Sequence, residues 1–97
     1  MAKVELYLGA AGSAAAWRRF LAEVVTPRFP DGLTVLEGRG QWRGPHGLAR
    51  EPTRILVVFY RPDATSEARI EAIRALYKQR FHQRSVLRAD SSACVAF

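Results

Sequence analysis

The apolar run Ile55–Tyr60 is the feature that most restricts the fold of this chain. It reads Ile-Leu-Val-Val-Phe-Tyr without a polar interruption. A run of this kind is typical of a central β-strand that is covered, at least in part, on both faces. The turn-forming segment 44–47 precedes the run and Pro62 follows it, so both ends are marked by residues that break regular structure.

Two other segments carry the apolar spacing of amphipathic helices. The stripe of the first segment is Trp17, Phe20, Leu21, Val24 and Val25. The stripe of the second is Ile70, Ile73, Tyr77 and Phe81. Ser13 is the expected N-cap of the first helix, and Thr65 or Ser66 that of the second. Pro27 is expected to end or kink the first helix near Val25, because proline lacks an amide donor.

The remaining strand patterns complete the order β-α-β-β-α-β. Lys3–Leu8 alternates apolar and polar residues, Leu33–Glu37 continues to about Arg43, and Ser85–Ala89 begins a last strand. This order predicts a single α+β domain over residues 1–97. The fold expected is a ferredoxin-like sandwich, with a four-stranded antiparallel sheet in the order 4-1-3-2 and two helices on one face.

Strand alternation divides the predicted sheet into a helix-covered face and an open face. The residues assigned to the helix side are Val4, Leu6, Leu8, Ile55, Val57 and Phe59. Those assigned to the open face are Glu5, Tyr7, Arg54, Leu56, Val58 and Tyr60. Leu56 and Val58 would form an exposed apolar patch, and such patches usually bind a partner or a ligand. We therefore expect a homodimer or a pocket on this face, unless segment 44–52 or 93–97 covers it.

The stretch Gly38–Arg43 places two glycines, two arginines, an amide and an indole in six residues. Glycine is disfavoured inside regular strands. The stretch therefore predicts a β-bulge with Trp42 packed on the sheet, or a site where a ligand approaches the glycines beside Trp42 and Arg43.

The formal charge of +6 arises from 13 arginines and 2 lysines against 9 acidic residues, spread along the chain. A diffuse basic surface does not by itself predict a nucleic-acid partner. The third strand also places Leu56 and Val58 where RNA-recognition modules carry the aromatic side chains that stack on bases, so RNA binding is kept only as an alternative. No apolar run approaches the ~20 residues of a membrane helix. As written the chain reads as cytoplasmic; it would be exported if a leader had been removed.

The sequence indicates no catalytic constellation, cofactor or metal site. Cys94 is the single cysteine, and spacing ties neither His46 nor His82 to it. It is expected to be a small buried or edge-strand residue. The candidates for acid–base chemistry are Glu37, Glu51, Asp90 and Tyr7, which the sequence does not place together.

Two segments resemble a bacterial family of small domains of unknown function. They are Thr-Pro-Arg-Phe-Pro-Asp-Gly-Leu-Thr at residues 26–34 and Gly-Gln-Trp-Arg at residues 40–43. The similarity extends over nearly the whole chain and includes the C-terminal Cys-Val-Ala-Phe. The resemblance implies a small domain that often follows a secretion or lipoprotein signal. It implies no established activity and assigns no binding residues.

The sequence leaves three functional hypotheses open. The first is a non-enzymatic binding or interaction module that binds a small organic anion or self-associates through the open face. Its site residues are Tyr7, Trp42, Arg43, Arg54, Tyr60 and Arg88. Arg54 and Arg88 would hold a carboxylate or phosphate, and the aromatic side chains would enclose the apolar part. The second is an enzyme of the dimeric α+β barrel kind with a pocket on the open face, and the third is RNA binding.

Overall fold

A computed structural model describes residues 1–9 and 11–97 of the protein. The strands are β1 (Ala2–Gly9), β2 (Thr34–Gly44), β3 (Gly47–Tyr60) and β4 (Leu87–Ser92). The helical segments are α1 (Ala14–Phe20), a π-helical turn (Leu21–Val25), α2 (Thr26–Arg28) and α3 (Ala64–Arg80). The first three helical segments follow one another without a break, so residues 14–28 form the first helix and α3 forms the second.

The strands form one antiparallel sheet in the order β2-β3-β1-β4, with β1 and β3 in the centre. Both helices cover the same face of it, because the buried side chains of β1 belong to one core cluster with those of the two helices. The predicted α+β architecture of a four-stranded antiparallel sheet with two helices is therefore confirmed.

The two predicted helical stripes form the aromatic part of the core. Phe20 and Tyr77 are fully buried, and their rings meet edge to face with centroids 5.3 Å apart. Tyr77 also stacks on Phe81, with centroids 4.6 Å apart, and its hydroxyl donates a hydrogen bond to the Gly9 carbonyl. Burial raises the pKa of Tyr77. The second helix is thereby fixed to the first helix and to the end of β1.

The first helix continues past Val25, where the sequence predicted a break. The Thr26 amide donates to the Leu21 carbonyl, five residues back, which makes the turn before Pro27 a π-turn. A widened turn gives room to a proline ring that would otherwise crowd the preceding carbonyls. The helix then closes with one α-turn, in which Arg28 Nη1 donates to the Val24 carbonyl at 2.9 Å.

The caps of the two helices differ in how well the sequence predicted them. Ser13 caps α1 as expected, since its hydroxyl accepts from the Ala16 amide at 3.0 Å. The second helix is capped by Asp63, whose carboxylate accepts from the Ser66 amide at 2.7 Å. An aspartate is as good a cap as serine or threonine, and here it lies one helical turn before its partner amide.

The assignment of β3 to the two sheet faces was wrong by one residue. Val4 pairs with Val58 and Leu6 with Leu56, and paired residues share a face. Because Val4 and Leu6 are in the core, β3 turns its even-numbered residues to the helices and its odd-numbered ones to the open side. A run that is apolar at every position carries no alternation from which its phase could be read.

The hairpin of β2 and β3 extends beyond the rest of the sheet. Its register is unbroken from Thr34↔Val57 to Gly44↔Gly47, so the bulge considered for Gly38–Arg43 does not form. Strand β1 ends at Gly9, opposite Thr53. Residues 39–52, here called the arm, therefore project as a two-stranded ribbon and lengthen the molecule to 43 Å.

The last strand and the cysteine also differ from expectation. Strand β4 includes Asp90, Ser91 and Ser92, which read as turn residues in the sequence, because all three pair with the start of β1. Cys94 lies after β4 and is exposed, so it is neither a buried nor an edge-strand residue.

Candidate functional site

The structure does not bring the six predicted site residues together. Arg54 lies opposite Leu8, Tyr60 opposite Ala2 and Arg88 opposite Leu6, all on the helix side of the sheet. Tyr7 lies on the open face, next in the strand to Leu6 and Leu8. This separation follows from the phase of β3 and overturns the proposed site of Arg54, Tyr60 and Trp42 around one concavity.

Arg54 is held at the margin of the core. Its guanidinium carbon lies 4.9 Å from the centroid of the Trp17 ring, and its Nε lies 3.7 Å from a carboxylate oxygen of Glu37. Its Nε and Nη1 are buried and have no hydrogen-bond partner within residues 1–9 and 11–97. A cation over an aromatic face is stabilised by the ring quadrupole, so Arg54 has an interior partner in Trp17.

Arg88 is the centre of an ion-pair network between β4 and α3. It makes hydrogen-bonded ion pairs with Glu67 at 2.7 Å, Glu71 at 3.1 Å and Asp90 at 2.8 Å. These contacts raise the pKa of Arg88, with the hydrogen bond to Glu67 contributing most. A guanidinium with three carboxylate partners is already saturated, so Arg88 joins two elements of the fold instead of offering donors to a ligand.

Tyr60 belongs to the same edge of the sheet. It is 9% exposed, and its hydroxyl donates to Asp90 at 3.0 Å. Burial, followed by this hydrogen bond, raises the pKa of Tyr60. The Tyr60 hydroxyl and the Arg88 guanidinium therefore both donate to Asp90 and hold its side chain in place.

The open face carries a cross-strand row of four apolar side chains. Leu87 pairs with Tyr7, Tyr7 with Ile55 and Ile55 with Leu36, so the row crosses all four strands. Leu36 and Leu87 are 50% and 64% exposed. Phe59 on the same face is 46% exposed. The predicted exposed apolar patch thus exists, but it is formed by the odd-numbered residues of β3 and not by Leu56 and Val58.

One polar pair lies within this open face. The Tyr7 hydroxyl donates to a carboxylate oxygen of Glu5 at 3.1 Å. This hydrogen bond is the largest cause of a raised pKa at Tyr7. The neighbours across the strands are Ile55 and Leu87 for Tyr7, and Val57 and Ala89 for Glu5. The pair is therefore the acid–base candidate of this face.

The arm has a mainly apolar side, which carries Trp42, Ala49 and Glu51, and a basic side, which carries Arg39, Arg43 and Arg50. Trp42 pairs with Ala49 on the side that continues the open face. The neighbouring Arg43 pairs with Leu48 and points the other way, so the two predicted site residues of this stretch lie on opposite sides. The basic side also carries Gln41, whose side-chain oxygen accepts from Arg50 at 3.4 Å.

A cavity of about 600 Å³ lies where β2 begins beside the end of β3. We call it the corner cavity. Its basic lining residues are Arg28, Arg61 and Arg69, and its aromatic ones include Phe29, Phe59 and Tyr60. This volume is within the range of small-molecule sites, roughly 300–1,000 Å³. Of the residues predicted from the sequence, only Tyr60 contributes to it.

Part of the corner cavity is formed by a sequence motif that, in the sequence analysis, supported only the family resemblance. Arg28, Phe29, Pro30, Asp31 and Gly32 line it, and they belong to the segment that supported the family resemblance. The sequence could not show that these residues line a cavity, because other lining residues lie about 30 positions later, in the connection between β3 and α3.

Two structural features are absent from the described part of the chain, a cluster of metal-binding side chains and a membrane-spanning helix. Within residues 1–9 and 11–97, no three histidine, cysteine, aspartate or glutamate residues are grouped to hold a metal ion. No helix in the same residues is long and apolar enough to cross a membrane.

The sequence model of a protein family of unknown function, DUF3574, matches residues 3–97. The chain belongs to this family. The family is described as one of unknown function, so membership names no activity. A search of curated proteins found no match.

Two solved structures of a phage SAM lyase are similar to this chain in fold. The apo structure aligns with a TM-score of 0.70 at 12% identity, over 93% of this chain and 78% of the lyase. The complex with S-methyl-5'-thioadenosine aligns with a TM-score of 0.73 at 12% identity, over 93% and 79%. At this identity the likeness shows a common fold.

Proposed function

We propose that this domain is a non-enzymatic interaction module that binds a second copy of its own chain through the open face. The observation that carries the proposal is the apolar row formed by Leu87, Tyr7, Ile55 and Leu36. Exposed apolar patches on one face of a sheet usually mark a contact surface. In a symmetric dimer this row would meet the same row of the second copy across a two-fold axis.

The segments that were expected to cover the open face leave it free. Segment 44–52 lies in the arm, paired as a ribbon. At the other end, Ala93 exchanges backbone hydrogen bonds with Met1, and Phe97 is fully exposed. A partner from outside the chain is therefore needed to cover Leu36 and Leu87.

The area of the open face supports a dimer of ordinary size. Strand spacing and rise give the 39 strand residues of the sheet and the arm a projected footprint of about 600 Å². The accessible area of a surface with side chains exceeds its footprint. A standard interface buries about 800 Å² on each partner, which this surface can provide.

The strand order supports a ferredoxin-like classification. The fold likeness also suggests a small-molecule ligand in addition to a second copy of the chain. Counted from β4, the strand order reads 4-1-3-2, as expected for a β-α-β-β-α-β sandwich. The fold relative bound to S-methyl-5'-thioadenosine indicates that this architecture accepts small ligands. The six residues predicted to hold an organic anion do not share a face, so self-association is the better supported function.

The test uses two leucines of similar exposure on opposite sides of the β2–β3 hairpin. Leu36 is 50% exposed on the open face, and Leu48 is 56% exposed on the basic side of the arm. We expect wild type to have twice the 10.9 kDa mass of one chain in light scattering coupled to size exclusion. Leu36→Glu should be monomeric, because the carboxylate would be desolvated without a partner.

The matched control is Leu48→Glu, which should remain dimeric. Circular dichroism of both variants establishes that each is folded. Wild type that is monomeric across the micromolar to millimolar range would contradict the proposal. So would equal dissociation of both variants.

An enzyme of the dimeric α+β barrel kind is the second candidate. The Glu5–Tyr7 pair on the open face is the observation that favours it. The fold relatives suggest the first substrate to test, S-adenosylmethionine, with S-methyl-5'-thioadenosine measured as the product. Product formed by wild type and lost in Tyr7→Phe would favour an enzyme, whereas no product leaves the interaction module in place. A salt-dependent filter assay tests RNA binding in the same preparation.

A further inference from the structure

We propose that the corner cavity binds a small molecule in which a phosphate or carboxylate group is attached to a flat apolar ring. This inference goes beyond self-association, because the cavity is lined within a single chain. Its residues come from α2 and the α2–β2 connection, the end of β3, the β3–α3 connection and the start of α3, together with the terminal residues Met1 and Phe97.

The cavity exists because β2 is shorter than β3 at this end. The first pair of the two strands is Thr34↔Val57, so residues 58–60 continue beyond the start of β2. The segment 30–33 turns away from the sheet there, and the space between it and β3 forms the cavity. A sheet edge that is not continued by a neighbouring strand leaves backbone donors and acceptors accessible to a ligand.

Three guanidinium groups give the cavity its preference for an anion. Arg28, Arg61 and Arg69 line it from three different elements. Two carboxylates, Asp31 and Asp63, line it as well, and Asp63 is engaged as the cap of α3 through the Ser66 amide. Arginine presents a planar fork of donors that matches phosphate and carboxylate oxygens.

Two of the arginines are positioned by hydrogen bonds within the chain. Arg28 Nη1 donates to the Val24 carbonyl at 2.9 Å, which leaves its other donors available. The Ser66 hydroxyl donates to the backbone carbonyl of Arg61 at 2.9 Å and fixes the turn that carries it. A partly pre-formed site loses less conformational entropy when a ligand binds.

The aromatic lining indicates a flat apolar group on the ligand. Phe29 and Tyr60, which are each 9% exposed, line the cavity. Phe59, which is 46% exposed, lines it as well and belongs to the open face. An anion alone would leave this apolar surface uncovered, whereas a ring attached to the anion would cover it.

The test is a titration with phenyl phosphate and benzoate, followed by NMR chemical shifts and by calorimetry. Inorganic phosphate and benzyl alcohol each supply one half of the proposed ligand. We expect saturable shifts at cavity residues with at least one aromatic anion, and weaker binding of either half. Phenyl phosphate and benzoate distinguish a phosphate from a carboxylate ligand.

Variants separate a specific site from general attraction to a basic protein. Arg61→Gln and Arg69→Gln should each weaken binding about tenfold, the value of one charged hydrogen bond. Arg43→Gln makes the same charge change on the arm and should leave affinity within about twofold. Equal weakening by all three variants would overturn the proposal, as would the absence of saturable shifts at millimolar ligand. Repeating the titration with Leu36→Glu shows whether binding survives when self-association is lost.

Discussion

Arg88 illustrates how a single residue can look like a ligand contact in sequence and be a structural element in the fold. The sequence predicted that Arg88, with Arg54, holds a carboxylate or phosphate. In the structure the Arg88 side chain is only 14% exposed, and its guanidinium is ion-paired with Glu67, Glu71 and Asp90. Arg74 strengthens the same edge, because it donates twice to the Val86 carbonyl, at 3.1 and 2.8 Å. Together these contacts attach β4 to α3.

Removal of the Arg88 charge should lower the free energy of unfolding at pH 7 and reduce its dependence on pH in the acid range. Hydrogen bonds from Arg88 lower the pKa of Asp90, and those from Arg74 and then Arg88 lower the pKa of Glu71. Carboxyl groups of this kind stabilise the fold above their unfolded pKa, near 4, and the stabilisation is lost as pH falls through the lower folded value. Arg88→Gln should cost about 1–2 kcal/mol at pH 7.

Urea denaturation between pH 7 and pH 3 measures both effects. Wild type should lose more stability than Arg88→Gln over this range, so the two curves converge at low pH. Arg39→Gln, on the exposed arm, is the control and should follow wild type. Parallel curves for wild type and Arg88→Gln would show that the network contributes nothing to pH dependence.

At the scale of elements, the arm is the least supported part of the fold. Two-stranded ribbons are marginally stable in water. Here the ribbon depends on its turn, in which Gly47 has a φ of +106°. The apolar side with Trp42 would be covered in the proposed dimer, and the basic side would remain in water.

Gly47→Ala should therefore loosen the arm without unfolding the domain. A residue with a Cβ at this φ costs about 1–3 kcal/mol. We expect faster amide exchange over residues 39–52 and unchanged protection in β1 and α3. Gly40→Ala is the control, because an added Cβ would meet its nearest atoms at 3.9 Å, an ordinary contact. Equal exchange in wild type and Gly47→Ala would show that the turn does not limit the arm.

At the scale of the whole molecule, one face of the sheet is covered by helices and the other is exposed. The helix side is closed by a core that includes Phe20, Ile70, Ile73 and Tyr77, each fully buried. The open side exposes its apolar row and continues into the arm, which extends the molecule to 43 Å. In the proposed dimer, a second copy would cover the open side and thereby stabilise the folded chain.

The melting temperature should accordingly rise with protein concentration. Binding that is specific to the folded state stabilises it by mass action, so a hundredfold increase in concentration should raise the midpoint by roughly several degrees. Leu87→Glu should melt at one temperature at all concentrations, because the row is interrupted at its outer strand. A wild-type midpoint that is independent of concentration would argue against assembly.

The local features of the fold were predictable, and the site was not. The helical stripes, the Ser13 cap and the two central strands follow from spacing and from residues with one dominant conformation. The sequence did not reveal which residues of β3 face the helices, because Ile55–Tyr60 is apolar at every position and fits either face. That single step assigned Arg54 and Tyr60 to the wrong side. The same error led to the prediction that Leu56 and Val58 form the apolar patch, which is formed by the odd-numbered residues of β3.

The sequence by itself determined the kind of elements, their order and the apolar stripes that join them, because these depend on neighbours within about one helical turn or one strand. Pairing with β1, in which apolar and polar residues alternate, decided which side of β3 faces the helices. The corner cavity depends on where β2 starts relative to Val57 and on how the turn after Tyr60 approaches α2. Such distances between segments remote in sequence are set only when the core is packed, so only the tertiary structure could bring Arg28, Arg61 and Arg69 to one site.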